Sequence, residues 1–163
     1  MKNHQKPAEE YLMSNDKKIV RWGENYATGI NLIDEQHKEL VKLTNELYGA
    51  CLTSEEEVHD TFKEVMGRMV EYVRFHFTVE LELLNRVKYP GYDDHKSQHD
   101  SLVRKILEAA KEYKEGNRYA ANYFVRTLKE WVFGHIAVSD KLYAAYIREQ
   151  MSKGLLSDKQ LEG

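Results

Sequence analysis

The residues best placed to do chemistry are histidines and acids at helical spacing. His95 and His99 are four residues apart, as are His76 and Glu80; His135 and Asp140 are five apart, and His37 stands on its own. On a helix, side chains four apart share a face, so both members of such a pair can reach one ion. Imidazole suits iron, zinc, copper or nickel, and a carboxylate takes harder ions or bridges two. A single inward histidine is ordinarily a hydrogen-bonded core residue. Several in one small core are another matter, because each buried polar group left unpaired costs on the order of 1–3 kcal/mol. Five such histidines with an inward Glu80 would consume a stability of only about 5–15 kcal/mol. A metal satisfies them together.

Four periodic segments position these residues. The first, from about Asn31 to Leu52, carries a stripe of Ile33, His37, Leu40, Thr44, Leu47 and Cys51 in steps of three and four. The second starts near Ser54, a suitable N-cap, with Glu55, Glu56 and Glu57 at the positive end of the helix dipole. Its stripe is Val58, Phe62, Val65, Met69, Tyr72, His76, Glu80 and Leu83, and it breaks at Tyr89-Pro90-Gly91. The third runs from about Asp93 to Glu115 on His95, His99, Leu102, Ile106, Ala109 and Tyr113, with Gly116 ending it. The fourth runs from about Arg118 to Met151 on Phe124, Leu128, Trp131, His135 and Leu142. Short connections between four amphipathic helices predict an all-α, up-down-up-down antiparallel four-helix bundle. Residues 19–30 read as an ordered N-terminal arm on that bundle, 1–18 as a polar tail, 19–151 as the helical domain, and 152–163 as a polar C-terminal tail. His4 in the tail and His59, one position off its stripe, are read as solvated rather than as ligands.

The fourth segment poses a geometric problem. At about 100° per residue, His135 and Asp140 diverge by roughly 140° on a regular helix. Either a π-type bulge realigns them, or a regular helix lets the two reach a shared site from opposite edges of the stripe. The second is the favoured expectation, because metals held between helices are themselves separated.

Bulk composition narrows the classes. The chain has 163 residues, 42% apolar, with only 2 prolines and 9 glycines, which suits one domain of long helices. A net charge of −3 gives no general pull on nucleic acid or anionic membrane. Cys51 is the one cysteine, so no internal disulfide can form. No apolar run approaches the roughly 18 residues of a membrane span. The N-terminal residues lack a signal-peptide core, so the expected location is cytoplasmic.

With those pieces in place, the chain resembles the hemerythrin family over about residues 19–150. The resemblance rests on DEQHKEL around His37, HFTVE at His76–Glu80, the YPGY turn, HKSQH at His95–His99 and HIAVSD at His135–Asp140. It implies two iron ions with an oxo or hydroxo bridge. His95, His99 and His135 would hold one, His37 and His76 the other, and Glu80 and Asp140 would bridge them. That ligand set leaves one position open of the twelve on two octahedral ions, on the iron held by two histidines. The matching pocket walls are Leu40, Phe77, Leu102, Val132 and Ile136, whereas Trp22 and Trp131 read as packing residues. The implied function is reversible dioxygen binding for storage, delivery or sensing. The competing classes are a di-iron oxidase or peroxidase, and an iron or redox sensor with a separate signalling partner; a histidine-rich site favours binding over enzymatic oxidation. The chain departs from many relatives in Val79 and Leu81 beside Glu80, Leu84 where methionine is frequent, and Gly134 before His135.

Overall fold

The computed structural model describes residues 18–52, 55–117 and 119–161. Helix α1 spans Asn31–Cys51, α2 Glu55–Arg86 and α3 Tyr92–Lys114. The fourth arm of the bundle comprises α4, Tyr119–Trp131, a π-helical segment, Val132–Ser139, and α5, Asp140–Ser152. Each of α1 to α4 packs on the next, and α4 returns to α1, which closes a four-helix bundle. No strand occurs among the described residues.

The arm before α1 is tied down by polar contacts. The Asn45 amide accepts from Val20 N at 3.0 Å and donates to Val20 O at 2.9 Å, as a paired strand would. Val20 and Tyr26 are buried in the core. The α1 entry is held by Asp34 of its first turn, which accepts from Thr28 N, Thr28 Oγ1 and Gly29 N at 2.7–3.0 Å. A carboxylate there also meets the positive end of the helix dipole.

The apolar core falls into two clusters. One runs from Leu40, Val73, Leu102 and Ile136 toward Phe62 and Phe124. The smaller one gathers Ile33, Leu83, Leu84, Val87, Tyr143, Ala144 and Ile147. The predicted histidines and acids lie between the two along every helix. The turn joining α2 to α3 keeps that smaller end closed. Lys88 adopts φ 53° there, and Tyr89 N returns to Leu84 O. A Cβ at Gly91 would sit 2.7 Å from the Tyr89 ring, so a larger residue there would have to displace that ring. Residues after Ser152 turn at Gly154 (φ 70°) and set Leu156 and Leu161 half-buried on the smaller cluster.

The fourth arm differs from the regular helix favoured on sequence. Asp140 N donates to His135 O, five residues back, inside a π-helix of 8 residues. The extra residue in that turn moves the inward stripe from the positions following His135 in an α-helix to Asp140, Tyr143, Ala144 and Ile147, all buried. Leu142, predicted inward, is 60% exposed as a result. Trp131, Tyr72 and Cys51 are half-buried at the edges of their stripes. His4 and Ser54 lie outside the described residues, as do the side chains of Val58 and His59.

Candidate metal centre

All seven predicted ligands are buried, and they meet in one layer. His37, His76, Glu80 and Asp140 are fully enclosed, and His95, His99 and His135 nearly so. Their donor atoms form two groups: Glu80, His95, His99 and His135 in one, and His37, His76 and Glu80 in the other, with atoms within 4.8 Å of one another. Glu80 belongs to both. Its Oε2 lies 3.1 Å from His95 Nε2, 3.0 Å from His99 Nε2 and 3.9 Å from His76 Nε2. Asp140 also faces both ways. Its Oδ2 is 3.1 Å from His37 Nε2, and its Oδ1 is 3.0 Å from His135 Nε2 and 3.5 Å from His95 Nε2. The π turn makes this possible, because one turn of five residues puts His135 and Asp140 on the same face.

These contacts are short but poorly satisfied. Both Asp140 oxygens and the Nε2 atoms of His37 and His76 are buried without an aligned hydrogen-bond partner. His99 Nε2 and His135 Nε2 face each other at 2.9 Å. Buried polar groups left this way are costly. Cations between them would satisfy the whole set, so the residues fit a metal of imidazole and carboxylate preference such as iron.

Further residues support the cluster that sequence reasoning did not single out. His76 Nδ1–H donates to Gln36 Oε1, and His135 Nδ1–H to Gln98 Oε1, both at 2.9 Å. Ser139 Oγ donates to the same Gln98 oxygen at 2.7 Å. The Tyr143 hydroxyl donates to Glu80 Oε1 at 2.5 Å. Each has a sequence signal in retrospect: both glutamines directly precede a histidine of the set, and Tyr143 is three residues beyond Asp140.

Protonation follows from burial and charge. Burial pushes the His76 imidazole down to about 3, so it is neutral. Burial pulls the Glu80 carboxyl up, but His76, His95 and His99 outweigh it and hold Glu80 well below the usual range. For Asp140, burial and Glu80 pull up while His135 and His37 pull down, and the net shift is down. Burial and the two carboxylates push the Tyr143 hydroxyl well up, so it keeps its proton for Glu80. His76, Glu80 and Asp140 are thus deprotonated at neutral pH, as metal ligands must be. Burial pulls the His95 imidazole down, but Glu80 and Asp140 outweigh it and raise it, so a metal there would displace a proton.

The predicted pocket walls, Leu40, Phe77, Leu102, Val132 and Ile136, are all buried in the larger apolar cluster beside this layer. Phe77 spans the two groups: its ring stacks on His99 with centroids 3.6 Å apart and lies 5.7 Å from His76. Trp131 stacks on His135 at 4.5 Å, and Trp22 lies 6.4 Å from His37. No described helix is long and apolar enough to cross a membrane.

Comparison with known proteins agrees with this architecture. A family model described as the hemerythrin HHE cation binding domain matches residues 28–147. A bacteriohemerythrin of Pseudomonas aeruginosa is 31% identical over 142 residues, spanning 87% of this chain and 90% of that protein. One of Methylococcus capsulatus is 25% identical over 126 residues, 77% of this chain and 94% of the relative. Among solved structures, a wild-type hemerythrin superposes with a TM-score of 0.71 at 24% identity, over 78% of this chain and 96% of that one.

Proposed function

The chain belongs to the hemerythrin family, and we propose that it binds dioxygen reversibly at a non-heme di-iron centre held by five histidines and two bridging carboxylates. The observation that carries the proposal is the two-sidedness of the acids: Glu80 stands in both histidine groups, and Asp140 turns one oxygen to each. A carboxylate so placed suits a pair of ions better than a single one. The assignment puts His95, His99 and His135 on one iron and His37 and His76 on the other.

Two ferrous ions in this site would supply the electrons and the one free coordination position that dioxygen binding needs. The chain supplies the surroundings. Gln36 and Gln98 meet the Nδ1 atoms of His76 and His135 at 2.9 Å, on the side of each ring away from the acids. The Tyr143 hydroxyl donates a hydrogen bond to Glu80 Oε1, which holds the carboxylate with Oε2 turned to the histidines. Leu40, Leu102, Val132 and Ile136 are all buried and would keep water from the two-histidine position. A site rich in histidine, with only two acids, favours binding over turnover.

The test is the absorption spectrum of reduced, iron-loaded protein before air, in air and after oxygen is removed. A charge-transfer band that appears and then disappears supports the proposal. Sustained oxygen consumption with peroxide release assigns an oxidase instead, and no band at full iron content refutes dioxygen binding.

A further inference from the structure

The dipeptide Gln-His occurs twice among the residues at the centre, at Gln36–His37 and Gln98–His99. In both places the glutamine does not serve its neighbour. It reaches across to the next arm of the bundle: Gln36 of α1 to His76 of α2, and Gln98 of α3 to His135 of the π segment, each at 2.9 Å. We propose that Gln36 and Gln98 are positioning residues that fix His76 and His135 as Nδ1–H tautomers, and that their neutral amides keep the site's donor strength low enough for the ferrous state.

An amide oxygen only accepts, so a histidine paired to it through Nδ1 must carry its proton there. The Nε2 atoms are then lone pairs, aimed at the layer where Glu80 and Asp140 lie. Without Gln36 nothing holds the His76 proton on Nδ1, and it can move to Nε2, which faces the Glu80 carboxylate across 3.9 Å. A proton there blocks the metal. Such outer partners also set ligand basicity. A carboxylate in place of the amide would pull the Nδ1 proton and make the ring a stronger donor, which favours the ferric state. The two glutamines are not equivalent. Gln36 is 5% exposed, so nothing replaces it when it is lost. Gln98 is exposed and shares its oxygen with Ser139, so water can take over part of its role.

The inference rests on the ligand assignment proposed above, and the test keeps the two separable. In the metal-free full chain, nitrogen-15 NMR of the histidine rings reads the tautomer directly. The expected result is Nδ1–H at His76 in the parent chain and in Gln36→Glu, with the proton moving to Nε2 in Gln36→Leu. Competition titration with Co²⁺ is then expected to show about 10- to 100-fold weaker binding for Gln36→Leu, a smaller loss for Gln98→Leu, and binding at least as tight as the parent for Gln36→Glu. With iron loaded, Gln36→Glu is expected to lower the reduction potential. In a His76→Ala background the effect of Gln36→Leu on Co²⁺ binding should vanish, because the glutamine acts through that ring. A Gln36→Leu chain that is folded, keeps His76 as Nδ1–H and binds Co²⁺ within twofold of the parent overturns the inference. A parent chain that takes up neither Co²⁺ nor iron overturns the ligand assignment instead, while the tautomer measurement still decides the orienting role.

Discussion

Replacing Tyr143 by Phe removes one oxygen and leaves the packing almost unchanged. The ring stays in its slot against His95 and Tyr89, with centroids 5.4 and 6.2 Å away. What is lost is a hydrogen bond of 2.5 Å to Glu80 Oε1, between two fully buried residues. A hydrogen bond to a charged group contributes about 1.5–3 kcal/mol. At roughly 2–4 °C per kcal/mol for a chain of this size, the metal-free protein should melt about 3–12 °C lower. The metal-loaded protein should fall by less, because cations on Oε2 already neutralise the carboxylate. By linkage, that difference appears as tighter metal binding in the variant, about tenfold for each 1.4 kcal/mol. Differential scanning calorimetry with and without metal, joined to a competition titration, measures all three quantities. Equal losses in both states, or an unchanged metal-free melting temperature, would refute the view that Tyr143 compensates the charge of Glu80.

Other outcomes follow from the same geometry. Deleting Val138, an exposed residue of the π segment, should convert the fourth arm to a plain α-helix with Tyr143, Ala144 and Ile147 still inward and melting within a few degrees of the parent. Deleting Lys129 turns Val132, His135 and Ile136 off the stripe and should abolish metal uptake; equal damage from both deletions would contradict the register argument. Leu102→Asn should speed decay of the oxygenated band at equal iron content, by admitting water beside the two-histidine position, whereas Val73→Asn should lower stability with less effect on decay. If Leu102→Asn decays no faster than the parent, the pocket is misplaced. Acid should destabilise the metal-free chain. His76 is lowered to about 3 from 6.5, so the unfolded chain takes up its proton first, and stability falls from about pH 6.5 toward 3 by up to ~1.4 kcal/mol per pH unit. Glu80, held well below its ordinary 4.5, adds a loss of the same sign at lower pH. Denaturant titrations at several pH values check this, and stability that rises between pH 6.5 and 4.5 contradicts it.

The helices and the seven clustered residues were legible because both depend on spacing. Inward stripes repeat every three or four residues, and Ile33, His37, Leu40, Thr44 and Leu47 on α1 are all buried as read. The π turn was not chosen on sequence, although the five-residue interval between His135 and Asp140 raised it. Helical propensity carries nothing that favours a bond to the fifth residue back, so the decision lies in the need to bury both side chains on one face. The misplaced Leu142 is the direct consequence, since every residue after the bulge shifts by one position. Gln36, Gln98 and Tyr143 escaped notice because their partners sit on other helices. Spacing along one chain does not reveal a contact such as His76 to Gln36, 40 residues apart. Leu155, Leu156 and Leu161 are a few apolar residues in a polar stretch, and the place of Leu156 and Leu161 on the smaller core cluster, with Leu155 exposed, depends on the turn at Gly154.

The central claim, that the layer between the two apolar clusters holds a pair of irons, is tested most directly by anomalous scattering at the iron edge from crystals of the iron-loaded chain. The predicted result is two peaks about 3.5–4 Å apart, one bounded by His95, His99 and His135, the other by His37 and His76, with Glu80 and Asp140 touching both. A single peak, or peaks bounded by other residues, contradicts it.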